Sequence, residues 1–127
     1  DLGKSVEYIG ALKPKEIAEE MNKAMAFLHC SKYETFSVVC AEALSCGTPV
    51  IASAVGGVTE IVEESSGILV QDNTKADWIK ALSSFINSSD SYNSKSISEK
   101  TAKRFSERKV GKNYMSVITD TLDQSYE

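Results

Sequence analysis

Val38-Val39-Cys40-Ala41-Glu42-Ala43-Leu44-Ser45-Cys46-Gly47-Thr48-Pro49-Val50-Ile51-Ala52-Ser53 is the stretch that decides the fold. Residues 38–45 read as a short helix, with Ser37 ahead of it as a cap and Gly47 where a helix-ending left-handed residue belongs. Residues 49–53 follow as an almost wholly apolar run, expected of a strand covered on both faces of a parallel sheet. A helix that turns straight into a buried strand is the return limb of a strand–helix–strand unit.

Reading outward confirms the alternation. Downstream, Ala54-Val55-Gly56-Gly57 reads as a flexible turn, residues 59–63 as a short helix, and Gly67-Ile68-Leu69-Val70 as a strand. Asn73 or Thr74 caps an amphipathic helix running to Asn87, whose expected buried stripe is Trp78, Ile79, Leu82, Phe85 and Ile86. Upstream, residues 24–30 form a nearly all-apolar strand, and Pro14 opens a helix with Ile17, Ala18 and Met21 on one face. Residues 6–10, ending in Gly10, read as one further strand. After a polar loop at 88–94, residues 97–122 are predicted helical, with Phe105, Val110, Tyr114, Val117, Ile118 and Leu122 as apolar contacts. The pattern predicts an α/β fold: a Rossmann-like parallel sheet of at least four strands, with helices on both faces.

A chain of 127 residues with 42% hydrophobic and 25% charged residues suits one domain, its core at about 5–87 and a helical segment at about 96–124. A net charge of −4 argues against nucleic acid as the main partner, because phosphate backbones need a cationic face. No basic cluster suggests a membrane surface, no apolar run has the length of a bilayer, and no signal peptide opens the chain. Asp1-Leu2-Gly3-Lys4 reads as a cut inside a longer protein. Cys30, Cys40 and Cys46 form no C-x-x-C pair and read as reduced, buried structural thiols of a cytoplasmic protein, free or peripheral to a membrane. His29 adjoins Cys30, but neighbouring strand residues point to opposite faces, which argues against a catalytic thiol–imidazole pair.

Ligands of open parallel sheets bind at the carboxyl ends of the strands. Three loops fall there: 10–13, 31–37 and 53–57. The middle loop leads straight into a helix N-terminus, which is either an anion site or an ordinary turn. From Thr35 to Thr59 the one charged side chain is Glu42, in the middle of an apolar helix. Its carboxylate either accepts hydrogen bonds from a vicinal diol such as a ribose or faces solvent. Glu34, in the loop, is either a favourable charge near a helix start or a ligand to hydroxyl groups.

The run from Glu34-Thr35-Phe36-Ser37 through Ser53 resembles the signature of the family-4 glycosyltransferases: two glutamates with seven residues between them, then Gly-x-Pro-Val and a strand. Val55-Gly56-Gly57-Val58-Thr59-Glu60-Ile61-Val62 resembles that family's Gly-Gly loop and short helix, and residues 67–70 match its next strand. The likeness covers about 6–85, and the ordered succession of elements makes it specific. It implies one half of a two-domain glycosyltransferase-B fold: a partial C-terminal, nucleotide-sugar-binding domain spanning 1–127, with the N-terminal, acceptor-binding domain absent. It further implies retaining, metal-independent sugar transfer to an unidentified acceptor, in glycan or polysaccharide biosynthesis. The nucleotide-sugar serves as substrate, with no other cofactor. The absence of any Asp-x-Asp agrees with the lack of a metal.

By the same resemblance Glu34 contacts the donor sugar as the catalytic residue and Glu42 holds the ribose diol. Backbone amides of Thr35, Phe36, Ser37, Val38 and Val39 hold the sugar and diphosphate, and the Gly10-Ala11-Leu12 loop meets the base through Leu12. Thr35 and Ser37 stand where the family often has glycine, so a positive φ there would be strained. The family's diphosphate-neutralising Arg and Lys lie upstream of the match, which implies that the chain alone binds weakly and does not turn over. A nucleotide-sugar epimerase of the same fold and a non-catalytic binding module are the rival readings.

Overall fold

The computed structural model describes residues 5–124, so the reading of residues 1–4 as a cut lies outside it. Three parallel strands, β1 (Phe27–His29), β2 (Val50–Ser53) and β3 (Gly67–Val70), pair in chain order. Phe27 lies opposite Val50 and His29 opposite Ala52, while Val50 lies opposite Gly67 and Ser53 opposite Val70. The helices are α1 (Pro14–Lys23), α2 (Val38–Ser45), α3 (Val58–Ile61), α4 (Lys75–Ser88), α5 (Ser94–Phe105) and α6 (Glu107–Gln124).

β2 is the centre of the molecule, every one of its residues inaccessible to solvent. Strand alternation sends Val50 and Ala52 to one face, where they meet Cys40, Leu44, Ile61 and Ile97 from α2, α3 and α5. Ile51 goes to the other, against Val70, Ala81 and Phe85. Helices therefore cover both faces, as predicted. Pro14 opens α1, where its missing N–H costs nothing. Gly47, with φ 81°, follows α2. Of the two candidate caps of α4, Thr74 fills the role, its hydroxyl accepting the Asp77 N–H at 3.2 Å.

Four expectations change. Residues 6–10 form no strand: among the described residues neither edge of the sheet is extended by them, and Val6, Tyr8 and Ile9 stand 65%, 92% and 52% exposed. Strand conformation needs a ladder partner, and apolar character alone does not supply one. On α4, Ile79 and Ile86 are exposed; the stripe that meets the sheet runs through Trp78, Ala81, Leu82 and Phe85, spaced three and four apart along one face. The long tail helix is two helices, broken at Ser106, whose extended backbone (ψ 145°) interrupts the turn. Its second half, packed chiefly on α5, leaves Tyr114, Val117 and Ile118 more than half exposed rather than buried, and the side chain of Leu122 lies outside the described residues. Of the cysteines, Cys40 is buried and Cys46 half-buried, but Cys30 is exposed, because it continues past the end of β1.

Candidate functional site

β1 ends at His29, and the chain then runs through the 31–37 loop into α2, at the carboxyl edge of the sheet. A polar knot holds the base of that loop. The Ser31 N–H donates to Ser53 Oγ at 3.1 Å, and Ser53 Oγ donates to Asn73 Oδ1 at 2.9 Å. Asn73 Nδ2 returns a bond to the Ser31 carbonyl at 3.1 Å, while Trp78 Nε1 donates to Asn73 Oδ1 at 2.7 Å. Asn73 takes up a left-handed backbone (φ 54°), a conformation asparagine tolerates better than most residues.

Glu34 is half-buried within this loop, and both its oxygens are engaged. Oε1 accepts the Thr35 N–H at 3.0 Å, and Oε2 lies 3.1 Å from His29 Nε2. Ser37 occupies the cap position of α2 without capping it. Its φ of 63° is left-handed, and its buried hydroxyl turns inward, 3.3 Å from His29 Nε2 and donating to Cys40 Sγ at 3.2 Å. The sequence reading was right about the position and wrong about the use of the hydroxyl. Of Thr35 and Ser37, only Ser37 takes a positive φ. Burial pushes the Cys40 thiol above its ordinary range, the Ser37 hydroxyl opposes that, and the Glu34 charge adds to it.

The Gly-Gly turn is a platform rather than a flexible link. The Gly57 N–H donates to the Thr35 carbonyl at 2.9 Å. A Cβ on Gly56 would stand 1.8 Å from the Glu34 carbonyl oxygen, and one on Gly57 2.7 Å from that of Thr35. What approaches these glycines is therefore the backbone that carries Glu34.

Glu42, one turn into α2, is exposed, and among the described residues no hydrogen bond engages its carboxylate. It lines an open groove of about 610 Å³ between α1 and α2, with Ile17, Met21, Phe36, Val38 and Cys46. Burial raises the Cys46 thiol, and the charge of Glu42 adds to that rise. Phe36 stands edge-on to Phe105, ring centres 6.1 Å apart. The Val38 and Val39 amides, the first two of the helix, donate to no acceptor among the described residues, as helix geometry requires. The structure thus brings Glu34, Thr35, Phe36, Ser37 and Val38 around one helix start, with Glu42 on the groove beside it. Val39 packs half-buried against the core. Leu12 is half-buried ahead of α1 and does not line the groove. A second hollow of about 650 Å³ lies against Gly67 at the amino end of β3 and holds none of the predicted residues. Among the described residues no cluster could hold a metal ion, and no helix is long and apolar enough to cross a membrane.

Residues 1–108 match the family model described as glycosyl transferases group 1. The chain belongs to that family. Curated relatives within it include a D-inositol 3-phosphate glycosyltransferase of Stackebrandtia nassauensis, 40% identical over 79 residues, 59% of this chain and 18% of that protein. A protein of the same name from a Nocardioides species is 38% identical over 81 residues, 63% of this chain and 18% of its own length. The chain thus spans less than a fifth of the curated relatives it matches. Among solved structures, sucrose-phosphate synthase from Thermosynechococcus elongatus superposes with a TM-score of 0.80 at 28% identity, over 94% of this chain and 32% of that one. Anabaena HepE in complex with UDP-glucose superposes at 0.69 and 22% identity, over 83% of this chain and 30% of its own, a likeness of fold.

Within this group 1 domain the sequence reading missed His29, Ser53 and Asn73. His29 had a visible signal: it shares a strand face with Phe27 at the carboxyl end of an apolar strand and precedes Glu34 by five residues. Asn73 carried none beyond its turn chemistry, since the partners it joins are far apart in sequence.

Proposed function

We propose that the chain is the donor-binding domain of a retaining, metal-independent glycosyltransferase that moves a sugar from a nucleotide-sugar to an acceptor. The observation that supports this most is the pairing of Glu34, immobilised by hydrogen bonds, with the free amides at the start of α2. The helix start suits a diphosphate. Glu34 sits where it can accept hydrogen bonds from sugar hydroxyls, since each of its oxygens has a second acceptor site left. Glu42 faces a groove whose apolar wall suits a base and whose carboxylate suits a ribose diol.

In the reaction, the bond from the anomeric carbon to the diphosphate oxygen breaks, and its electron pair leaves with the diphosphate. The acceptor oxygen bonds to the same face of that carbon and passes its proton to the departing diphosphate. A carboxylate held beside the sugar favours the positive charge that develops in between. For the acceptor, the family resemblance implies glycan or polysaccharide synthesis, whereas the names of the relatives favour a phosphorylated polyol. Three cysteines without a disulfide suit a reducing compartment such as the cytoplasm.

The test uses the full-length protein with a panel of UDP-, GDP- and ADP-linked hexoses, inositol 3-phosphate and an oligosaccharide as acceptors, and a chelator throughout. The expected product keeps the donor's anomeric configuration by NMR. An inverted product, or turnover abolished by the chelator and restored by a divalent cation, overturns the corresponding part. Conversion of the sugar nucleotide into its epimer with no glycoside formed replaces this reading with the epimerase.

A further inference from the structure

The Glu34 carboxylate depends on a residue outside the loop that carries it. His29 is the one histidine of the chain, and its ring is mostly buried, stacked on Phe27 with centres 6.2 Å apart and planes at 16°. Its Nε2 faces two oxygens, Glu34 Oε2 at 3.1 Å and Ser37 Oγ at 3.3 Å. A carboxylate has no hydrogen to give. The hydroxyl hydrogen of Ser37 is committed to Cys40 Sγ at 3.2 Å. Both neighbours are therefore acceptors, and the hydrogen between them belongs to Nε2. Ser37 reaches this position only through its left-handed backbone, a conformation that is costly outside glycine. A glycine there would avoid that cost and would leave the Nε2 hydrogen with one acceptor.

We propose that His29 is the positioning residue of Glu34, its Nε2–H shared between Glu34 Oε2 and Ser37 Oγ so that the carboxylate is oriented before the donor arrives. The Thr35 N–H holds the other oxygen. With both oxygens tied, the carboxylate plane is fixed, and one acceptor site on each oxygen is left for a sugar hydroxyl. His29 itself touches no substrate. The inference rests on the reading above, that Glu34 meets the donor sugar.

The experiment uses the full-length protein, the donor selected by the panel and that donor's nucleoside diphosphate. His29→Leu is expected to lower kcat about 10- to 100-fold, as misplacement of a reacting group does. Its KM for the donor and its affinity for the diphosphate should stay as in wild type. His29→Gln, which keeps an N–H near the same point, should recover most of the lost turnover. Added to Glu34→Ala, His29→Leu should cost nothing further, because its target is gone. In the ¹⁵N spectrum of histidine-labelled protein, the resonance lost in His29→Leu should show a hydrogen on Nε2. A bare Nε2, or wild-type turnover in His29→Leu while Glu34→Ala is impaired, overturns the positioning role and leaves Glu34 standing. Wild-type turnover in Glu34→Ala overturns the reading beneath it. If His29→Leu fails to fold by circular dichroism, the His29→Gln turnover and the wild-type resonance that His29→Gln removes still decide.

Discussion

The two glutamates of this domain sit eight positions apart, in opposite circumstances. Glu34 is half-buried, tied at both oxygens and backed by the Gly56–Gly57 platform. Glu42 is exposed on an apolar groove, with no hydrogen bond from the described residues. One carboxylate is oriented by the protein itself; the other carries no such restraint among the described residues. Groups preorganised by the fold act on rate, whereas groups satisfied only on binding act on affinity.

That difference breaks most easily at Glu34. Glu34→Ala should lower turnover about 10²–10³-fold, the scale for losing one preorganised electrostatic contact. Titration calorimetry with the nucleoside diphosphate alone should return the wild-type Kd. A weakened Kd with intact turnover would exchange the roles of the two carboxylates. Gly56→Ala comes next. Its Cβ would press on the Glu34 carbonyl oxygen and its φ is 50°, so about 3 kcal/mol of stability should be lost in urea unfolding, with turnover falling too. Gly111→Ala, where nothing stands within 4 Å, should cost nothing.

Glu42→Ala should weaken donor binding by about 1.5–3 kcal/mol, the range for hydrogen bonds to a charged group, while turnover at saturating donor is kept. Glu42→Gln should be milder, since one acceptor oxygen remains. A fourth test reads the two regions through their thiols, Cys40 beneath Ser37 and Cys46 on the groove. Both are raised above the ordinary 9.0, chiefly by burial. Above that pH the unfolded chain loses protons that the folded one keeps, so stability falls as pH rises, by up to about 1.4 kcal/mol per pH unit for each thiol. Cys40→Ala should flatten this alkaline loss more than Cys46→Ala, because Cys40 is fully buried. Equal slopes in both variants would show that the two regions are equally solvated.

Strand, helix and turn positions were legible wherever local chemistry decides them. Val50–Ser53 and Gly67–Val70 are buried whatever surrounds them, and Pro14 and Gly47 punctuate helices by their own dihedral limits. Residues 6–10 misled because apolar character does not reveal whether a pairing partner exists. Ile79 and Ile86 misled because a stripe broader than the contact looks the same in sequence as one that fits it. At the site, the two glutamates, the helix start and the Gly-Gly loop were legible as a pattern. What the glycines touch was not, because the Glu34 carbonyl comes from more than twenty residues upstream. The His29–Ser37–Cys40 cluster was equally hidden, since it joins a strand end, a left-handed serine and a helix interior.

Arg104, near the end of α5, donates to the carbonyls of Glu60 and Ile61 and to the Glu63 carboxylate, and stacks 5.0 Å above the Phe105 ring. Those carbonyls end α3, the helix that the Gly-Gly turn begins. The smallest piece of this chain that keeps its glycine platform therefore extends to Phe105. A protein trimmed at the apparent close of the strand–helix alternation, after α4, would lose the guanidinium that ties off α3. One trimmed at Ser106 would shed the sparsely packed α6 and, from the wall of the Glu42 groove, Val110 alone, which makes that extended residue the natural place to cut.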